Sequence, residues 1–183
     1  MQKLSMEELQ RPSVETFKAQ DKLPVALVLD NVRSMHNVGS AFRTSDAFAV
    51  ERIILCGITG RPPHREIEKT ALGATQSVTW SHVGDTSAAV RDLRKEGYRI
   101  VAVEQAKGSI PLQQFKPTET EKYALVFGNE VHGVSDDVMA NVDACIEIPQ
   151  SGTKHSLNIA VSIGIVLWSF YAELHFQKSA PVK

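Results

Sequence analysis

Val25-Ala-Leu-Val-Leu-Asp-Asn-Val-Arg-Ser-Met-His-Asn-Val-Gly-Ser-Ala-Phe-Arg43 decides the fold. Its first five residues are a continuous apolar run, the pattern of a strand covered on both faces. A polar loop follows through Asn37, after which Val38, Ala41, Phe42 and Ser45 recur on one face of a helix. The same alternation continues outward. Arg52-Ile-Ile-Leu-Cys56 reads as a second strand, and a Gly/Pro-rich loop from Gly57 to Pro63 leads to a short helix near Arg65–Thr70. Thr86 is expected to cap a helix ending at Gly97, followed by the strand Arg99–Val103 and a long polar connection to Thr120. Tyr123-Ala-Leu-Val-Phe127 is another buried strand, and Ser135-Asp-Asp opens a short helix with acids suited to its positive end. Cys145–Ile148 is the last strand, and a final helix runs from Ser156 to about Phe176. Near-continuous apolar strands alternating with helices imply an α/β fold, a mostly parallel sheet with helices on both faces.

Ahead of this core, residues 5–20 read as a short helical arm. Ser5 and Glu8 fit a capping box, Pro12-Ser13 suggests a break and a second helix start, and Pro24 ends the arm. The expected organisation is an arm over 1–24, one domain over 25–176 and a tail over 177–183. A chain of 183 residues suits one domain. At that size about 70% of the unfolded surface can be buried, so neither disulfides nor metal are needed for stability. Hydrophobic residues at 43% and charged residues at 22% are ordinary for a soluble globular protein. Cys56 and Cys145 lie in apolar runs and read as buried thiols, and the N-terminus lacks the apolar segment of a signal peptide. A cytoplasmic protein is expected. The last helix is apolar on nearly every side from Ile159 to Ala172, yet this run is shorter than the ~20 residues of a membrane span. Such a helix must be buried on several sides, one against its own sheet and another against a second subunit.

Three polar clusters stand where strands give way to loops: Asn37 to Arg43, Gly128-Asn-Glu-Val-His-Gly133, and Ile148-Pro-Gln-Ser-Gly running on to Ser156-Leu-Asn158. In an α/β sheet, ligands collect at the carboxyl ends of the strands, so the three are placed to converge on one site. Familiar nucleotide signatures are missing. Gly128 to Gly133 has P-loop-like glycine spacing but is followed by Val134-Ser135, not Lys-Ser/Thr. No G-x-G-x-x-G follows the first strand, which counts against a dinucleotide-dependent oxidoreductase. The six histidines lack metal-binding spacing. A net charge of −1 weighs mildly against nucleic acid, but basic residues gather in loops beside the clusters: Arg33, Arg43, Arg61, Arg65, Lys69 and Lys154-His155.

Each cluster residue has two readings. Arg43 either pairs with Asp46 on the helix surface or presents its guanidinium to a phosphate or ribose oxygen. Asn37 suits a helix N-cap, His36 is either a loop histidine or an RNA contact, and Glu130 between two glycines suits a positioning role. Ser156 is a fair N-cap. Asn158, two residues inside the expected helix, is harder to explain structurally.

In order and content the three clusters resemble the motifs of the SpoU/TrmH-type RNA 2′-O-ribose methyltransferases of the SPOUT superfamily, over about Val25 to Phe170. The resemblance implies a trefoil knot, with the chain between Gly128 and Ser156 threaded so that the last helix is tucked through a loop. It implies S-adenosylmethionine as cofactor, held by Val103, Glu104, Gly128, Ile148 and Leu157, with Gln150 standing where a methionine is usual. Catalytic roles fall to Arg43, Asn37, Glu130, Ser156 and Asn158, and no metal is required. Arg33, His36, Arg61, Arg65 and Lys154 would face RNA. A homodimer with Arg43 serving a shared pocket is implied. The short arm and the lack of a separate RNA-binding domain favour tRNA over rRNA as substrate. A non-catalytic RNA-binding dimer is the rival reading.

Overall fold

The apolar runs become strands of one sheet in the computed structural model, which describes residues 1–5 and 7–176. The strands are β1 Leu23–Asp30, β2 Val50–Cys56, β3 Trp80–Val83, β4 Tyr98–Val103, β5 Ile110–Pro111, β6 Lys122–Phe127 and β7 Ala144–Glu147. Their order is β3-β2-β1-β6-β4-β7-β5, and every strand pair within the sheet is parallel among the described residues. All carboxyl ends therefore point to one edge. The chain builds outward from β1 through β2 to β3, then crosses to β4 on the other side of β6. Such a reversal opens a crevice at the carboxyl ends of the central strands.

The helices are α1 Val14–Ala19, α2 Met35–Ala47, α3 Arg65–Ala71, α4 Ala74–Ser77, α5 Thr86–Lys95, α6 Asp136–Met139 and α7 Ile159–Tyr171, the last continuing as a π-turn over Ala172–Phe176. Because strand side chains alternate, Val25, Leu27 and Leu29 pack with residues of α2, α3, α4 and α7, while Ala26 and Val28 pack with those of α5 and α6. Both faces are covered, as the uninterrupted apolar runs require. The long polar connection is partly structured. Leu112 and Phe115 in it are buried, and Phe115 stacks on Phe170 of α7 at 5.6 Å.

Several helix starts differ from the sequence reading. Ser34, not Asn37, caps α2, its hydroxyl accepting from the Asn37 amide at 3.3 Å. Asp85, not Thr86, caps α5; Thr86 is buried and its hydroxyl donates to Asp30 at 2.5 Å. Asn158, not Ser156, caps α7, accepting from the Ala160 amide at 2.8 Å. In the arm, Ser5 and Glu8 do form a reciprocal capping box, but it closes only a turn. A single turn ahead of Pro12 cannot repay the cost of helix nucleation. Helix proper is confined to α1, capped by Ser13 and docked through buried Phe17. Pro24 does not lie outside the sheet: β1 begins at Leu23, with its register against β2 shifting between Leu23 and Ala26. The expected tail, 177–183, lies outside the described residues.

Residues Ile159–Phe176 are long and apolar enough to cross a membrane, with a mean hydropathy of 1.5 over 18 residues. Ile163, Val166, Leu167 and Phe170 nonetheless have no exposed surface and pack on the sheet, as in a core helix. Along another side, Val161, Ile165 and Trp168 remain 50%, 38% and 51% exposed. Their i, i+4, i+7 spacing makes one apolar stripe.

Candidate active site

At the carboxyl edge of β4, β6 and β7 lies a cavity of about 900 Å³. Val103 and Glu104 leave β4 into its wall, Phe127 and Gly128 leave β6, and Glu147 and Ile148 leave β7. Leu157, Ser156 and Asn158 close another side ahead of α7, and Gln150 also lines it. All five residues expected to hold a cofactor are therefore brought together, with three of the five expected catalytic residues, Glu130, Ser156 and Asn158.

The turn from Gly128 to Gly133 is held from several directions. Asn129 and Gly133 exchange backbone hydrogen bonds at 2.9 Å each way, and the Asn129 side chain accepts from the amides of Val131 and His132. Its amide group donates to the Asn31 carbonyl at 2.8 Å. Glycine is needed at both ends. A Cβ on Gly128 would sit 2.0 Å from the Gly133 carbonyl carbon, and one on Gly133 would sit 2.1 Å from the Glu104 carboxylate. Gly133 also has φ +68°, a left-handed conformation that favours glycine. Glu104 uses its carboxylate to brace this wall, accepting from the Gln105 amide at 2.8 Å and the Val134 amide at 3.1 Å.

The three sequence clusters meet at Glu130. Its carboxylate accepts from the Arg33 amide at 3.2 Å, the Ser34 amide at 3.2 Å and the Asn37 side chain at 3.3 Å. Asn37 in turn accepts from the Asn158 side chain at 3.2 Å. Partial burial pushes the Glu130 carboxyl up, but its own backbone amide, those of Arg33 and Ser34, and the Asn37 side chain outweigh it and hold it below the ordinary value of 4.5. A carboxylate so saturated with donors is an anchor, poorly suited to accept a proton. Asn158 thus has two partners: it caps α7 and it ties the third cluster to the first.

Other expected residues fall outside the cavity. Arg43 is exposed on α2 and has no hydrogen-bond or ion partner among the described residues. Asp46, its candidate partner, accepts instead from Ser77 at 2.5 Å. Arg33 contributes its backbone amide while its side chain is free, and Arg61 and Lys154 are exposed without ion partners among the described residues. His36 pairs with Glu66 at 2.8 Å, and Arg65 and Lys69 approach the same carboxylate at 4.0 and 3.9 Å. His36 stands in the first turn of α2 rather than in the loop ahead of it, and its ring pairs within the protein.

Sequence reasoning missed Asp30. It is 1% exposed at the end of β1 and accepts from Asn31, Thr86 and the Ser135 amide, the last at 3.0 Å. This carboxylate ties the far end of the 128–135 segment to β1. The available signal was an acid directly abutting a buried apolar run.

The profile of the SpoU rRNA Methylase family matches residues 24–168. The chain is 30% identical over 161 residues to a 23S rRNA (guanosine-2'-O-)-methyltransferase of Vibrio parahaemolyticus, covering 88% of this chain and 64% of that one. It therefore spans less than two thirds of that relative's length. An uncharacterized tRNA/rRNA methyltransferase of Borreliella burgdorferi is also 30% identical, with 88% and 69% covered. Among solved structures, a TrmH/SpoU tRNA modifying enzyme of A. aeolicus superposes with a TM-score of 0.78 at 27% identity, covering 91% of this chain and 82% of that one. An AdoMet-bound rRNA methyltransferase from Sinorhizobium meliloti gives 0.76 at 28% identity, covering 84% and 61%.

Proposed function

Since the chain belongs to the SpoU methylase family, we propose that it is an S-adenosylmethionine-dependent methyltransferase that modifies a ribose 2′-hydroxyl of RNA in the cytoplasm. The observation that carries this reading is the Glu130–Asn37–Asn158 network, which joins all three clusters at the mouth of the cavity. A volume of about 900 Å³ lies within the ~300–1,000 Å³ range of small-molecule sites. Its walls combine apolar Val103, Phe127, Ile148 and Leu157 with polar backbone and side chains, which suits an adenosine joined to an amino-acid tail. Val103, Gly128, Ile148 and Leu157 would hold the cofactor; Glu104 acts chiefly by bracing the wall. When bound, S-adenosylmethionine supplies a methyl group on an electrophilic sulfonium.

The chain's own contribution is placement and charge. Glu130 fixes the backbone at Arg33 and Ser34, and through Asn37 it sets Asn158 and the start of α7. A guanidinium side chain carries hydrogen-bond donors and no acceptor, so Arg43 cannot be a simple base. Its unpaired guanidinium is available to clamp a substrate phosphate and to stabilise the developing alkoxide. Because it stands on α2 outside the cavity, we assign it to a pocket completed by a second copy of the chain. The exposed stripe Val161, Ile165 and Trp168 is the surface we propose for that homodimer. Family membership also leads us to propose the trefoil-knotted path between Gly128 and Ser156.

We take tRNA as the substrate, supported by the likeness to the A. aeolicus tRNA modifying enzyme. rRNA is the second reading, favoured by the sequence match to the Vibrio enzyme. Incubation with methyl-labelled S-adenosylmethionine and separate tRNA and rRNA fractions from cells lacking the protein decides between them. Label in tRNA alone is expected; label in rRNA alone reverses the substrate assignment, and label in neither removes the enzyme reading.

A further inference from the structure

Between Ile148, at the end of β7, and Asn158, at the cap of α7, the chain runs as a strap whose residues from 149 to 158 are all exposed. Gln150, His155, Ser156 and Leu157 of this strap line the cavity. Residues 149–157 make a single hydrogen bond to the rest of the chain among the described residues. It is donated by Gln105 Nε2 to the His155 carbonyl at 2.7 Å. No backbone hydrogen bond of the strap supplements it.

Gln105 stands on a rigid base. Its own amide donates to the Glu104 carboxylate at 2.8 Å, the Glu104 amide donates to Ile146 of β7 at 3.0 Å, and Glu104 also holds the Val134 amide. The bond therefore runs from a fixed wall of the cavity to an otherwise loosely held one. It lands on the residue directly before Ser156 and Leu157.

We infer that Gln105 is a positioning residue for the cofactor: its side chain holds strap 149–157 against the cavity, and so places Ser156 and Leu157. This rests on the proposed methyltransferase reading for its ligand, though not for the contact itself. A glutamine at this exposed position contributes little to global stability, because water competes for its amide. Its effect should instead appear as local order in the strap and as a slower escape of the bound ligand.

The test uses the full chain, S-adenosylhomocysteine as the probe, and the variants Gln105→Ala, Gln105→Glu and Gln105→Lys. Loss of one hydrogen bond of this kind should raise Kd about 3- to 10-fold, through faster dissociation. Gln105→Glu is nearly isosteric but cannot donate when ionised, so it should lose as much as Gln105→Ala. Gln105→Lys restores a donor and should recover part of the affinity. Backbone order parameters from 15N relaxation in the ligand-free protein should fall across 150–157 in Gln105→Ala and Gln105→Glu while the unfolding midpoint stays unchanged. Equal Kd and equal order parameters in wild type and Gln105→Ala would make Gln105 an ordinary surface residue and overturn the inference. If the wild-type protein binds no S-adenosylhomocysteine, the proposed function fails, and the order parameters still decide whether Gln105 holds the strap.

Discussion

Glu130→Gln should damage catalysis far more than stability. In the native protein one carboxylate oxygen accepts from the Arg33 amide, and the other accepts from the Ser34 amide and the Asn37 side chain. A glutamine keeps only one acceptor oxygen. Its amide group must then face at least one of these donors, leaving that N–H unpartnered and removing the charge from the others. Charge-assisted hydrogen bonds contribute about 1.5–3 kcal/mol when buried, but Glu130 is solvent-accessible and its contacts are long. After screening, a loss of about 1–2 kcal/mol is expected, measured by urea unfolding. The catalytic loss should be larger, because Asn37 and Asn158 are set through Glu130. Misplacing reacting groups by ~1 Å costs on the order of 10²-fold in rate, read by single-turnover methyl transfer. The pH dependence has a definite sign. Glu130 titrates below its ordinary value of 4.5 in the folded state, so its contribution is complete above that value. It is lost as the pH falls through the lower folded value. The stability gap between wild type and Glu130→Gln should thus be constant near neutral pH and shrink below 4.5. Near wild-type turnover in Glu130→Gln, or a gap that widens in acid, would refute this reasoning.

Arg43→Ala should slow methyl transfer by about 10²–10³-fold with cofactor Kd unchanged, and Arg43→Lys should rescue little, because an ammonium lacks the planar fork. Isothermal titration and single-turnover kinetics together check both. On α7, Ile165→Lys or Trp168→Glu should dissociate the dimer while leaving a folded monomer in light scattering and circular dichroism. Ile163→Lys, by contrast, should unfold the chain, since Ile163 has no exposed surface and an unpaired buried charge is costly. The Cys56 thiol, pushed up to about 12 by burial, and the Cys145 thiol, raised by the same cause, should resist alkylation at pH ~8. Both should react once the protein is unfolded.

The parallel sheet was legible because strands covered on both faces must be apolar at consecutive positions, and Val25–Leu29 and Tyr123–Phe127 are. The site was legible because its residues lie at strand ends, where this architecture collects ligands. Helix caps were less so. Ser34 and Asn37, or Ser156 and Asn158, are equally good capping types, and only the backbone dihedrals of each loop decide which one caps. Contacts between distant segments were not legible at all. The pairing of His36 with Glu66, the burial of Asp30 under Thr86 and Ser135, and the reach of Gln105 to His155 depend on how the elements pack. That Arg43 has no partner among the described residues was equally hidden, because Asp46 lies at the right spacing yet accepts from Ser77 of α4.

The central claim, methylation of a ribose 2′-hydroxyl, is tested most directly by the chemical position of the transferred methyl group. Purified protein, labelled S-adenosylmethionine and unmodified RNA are combined, and the RNA is digested to nucleosides for mass spectrometry. The account predicts a single 2′-O-methylated nucleoside, formed about 10²–10³-fold more slowly when Arg43→Ala replaces the wild type. Label on a nucleobase, or no transfer by a protein that binds the cofactor, would contradict it.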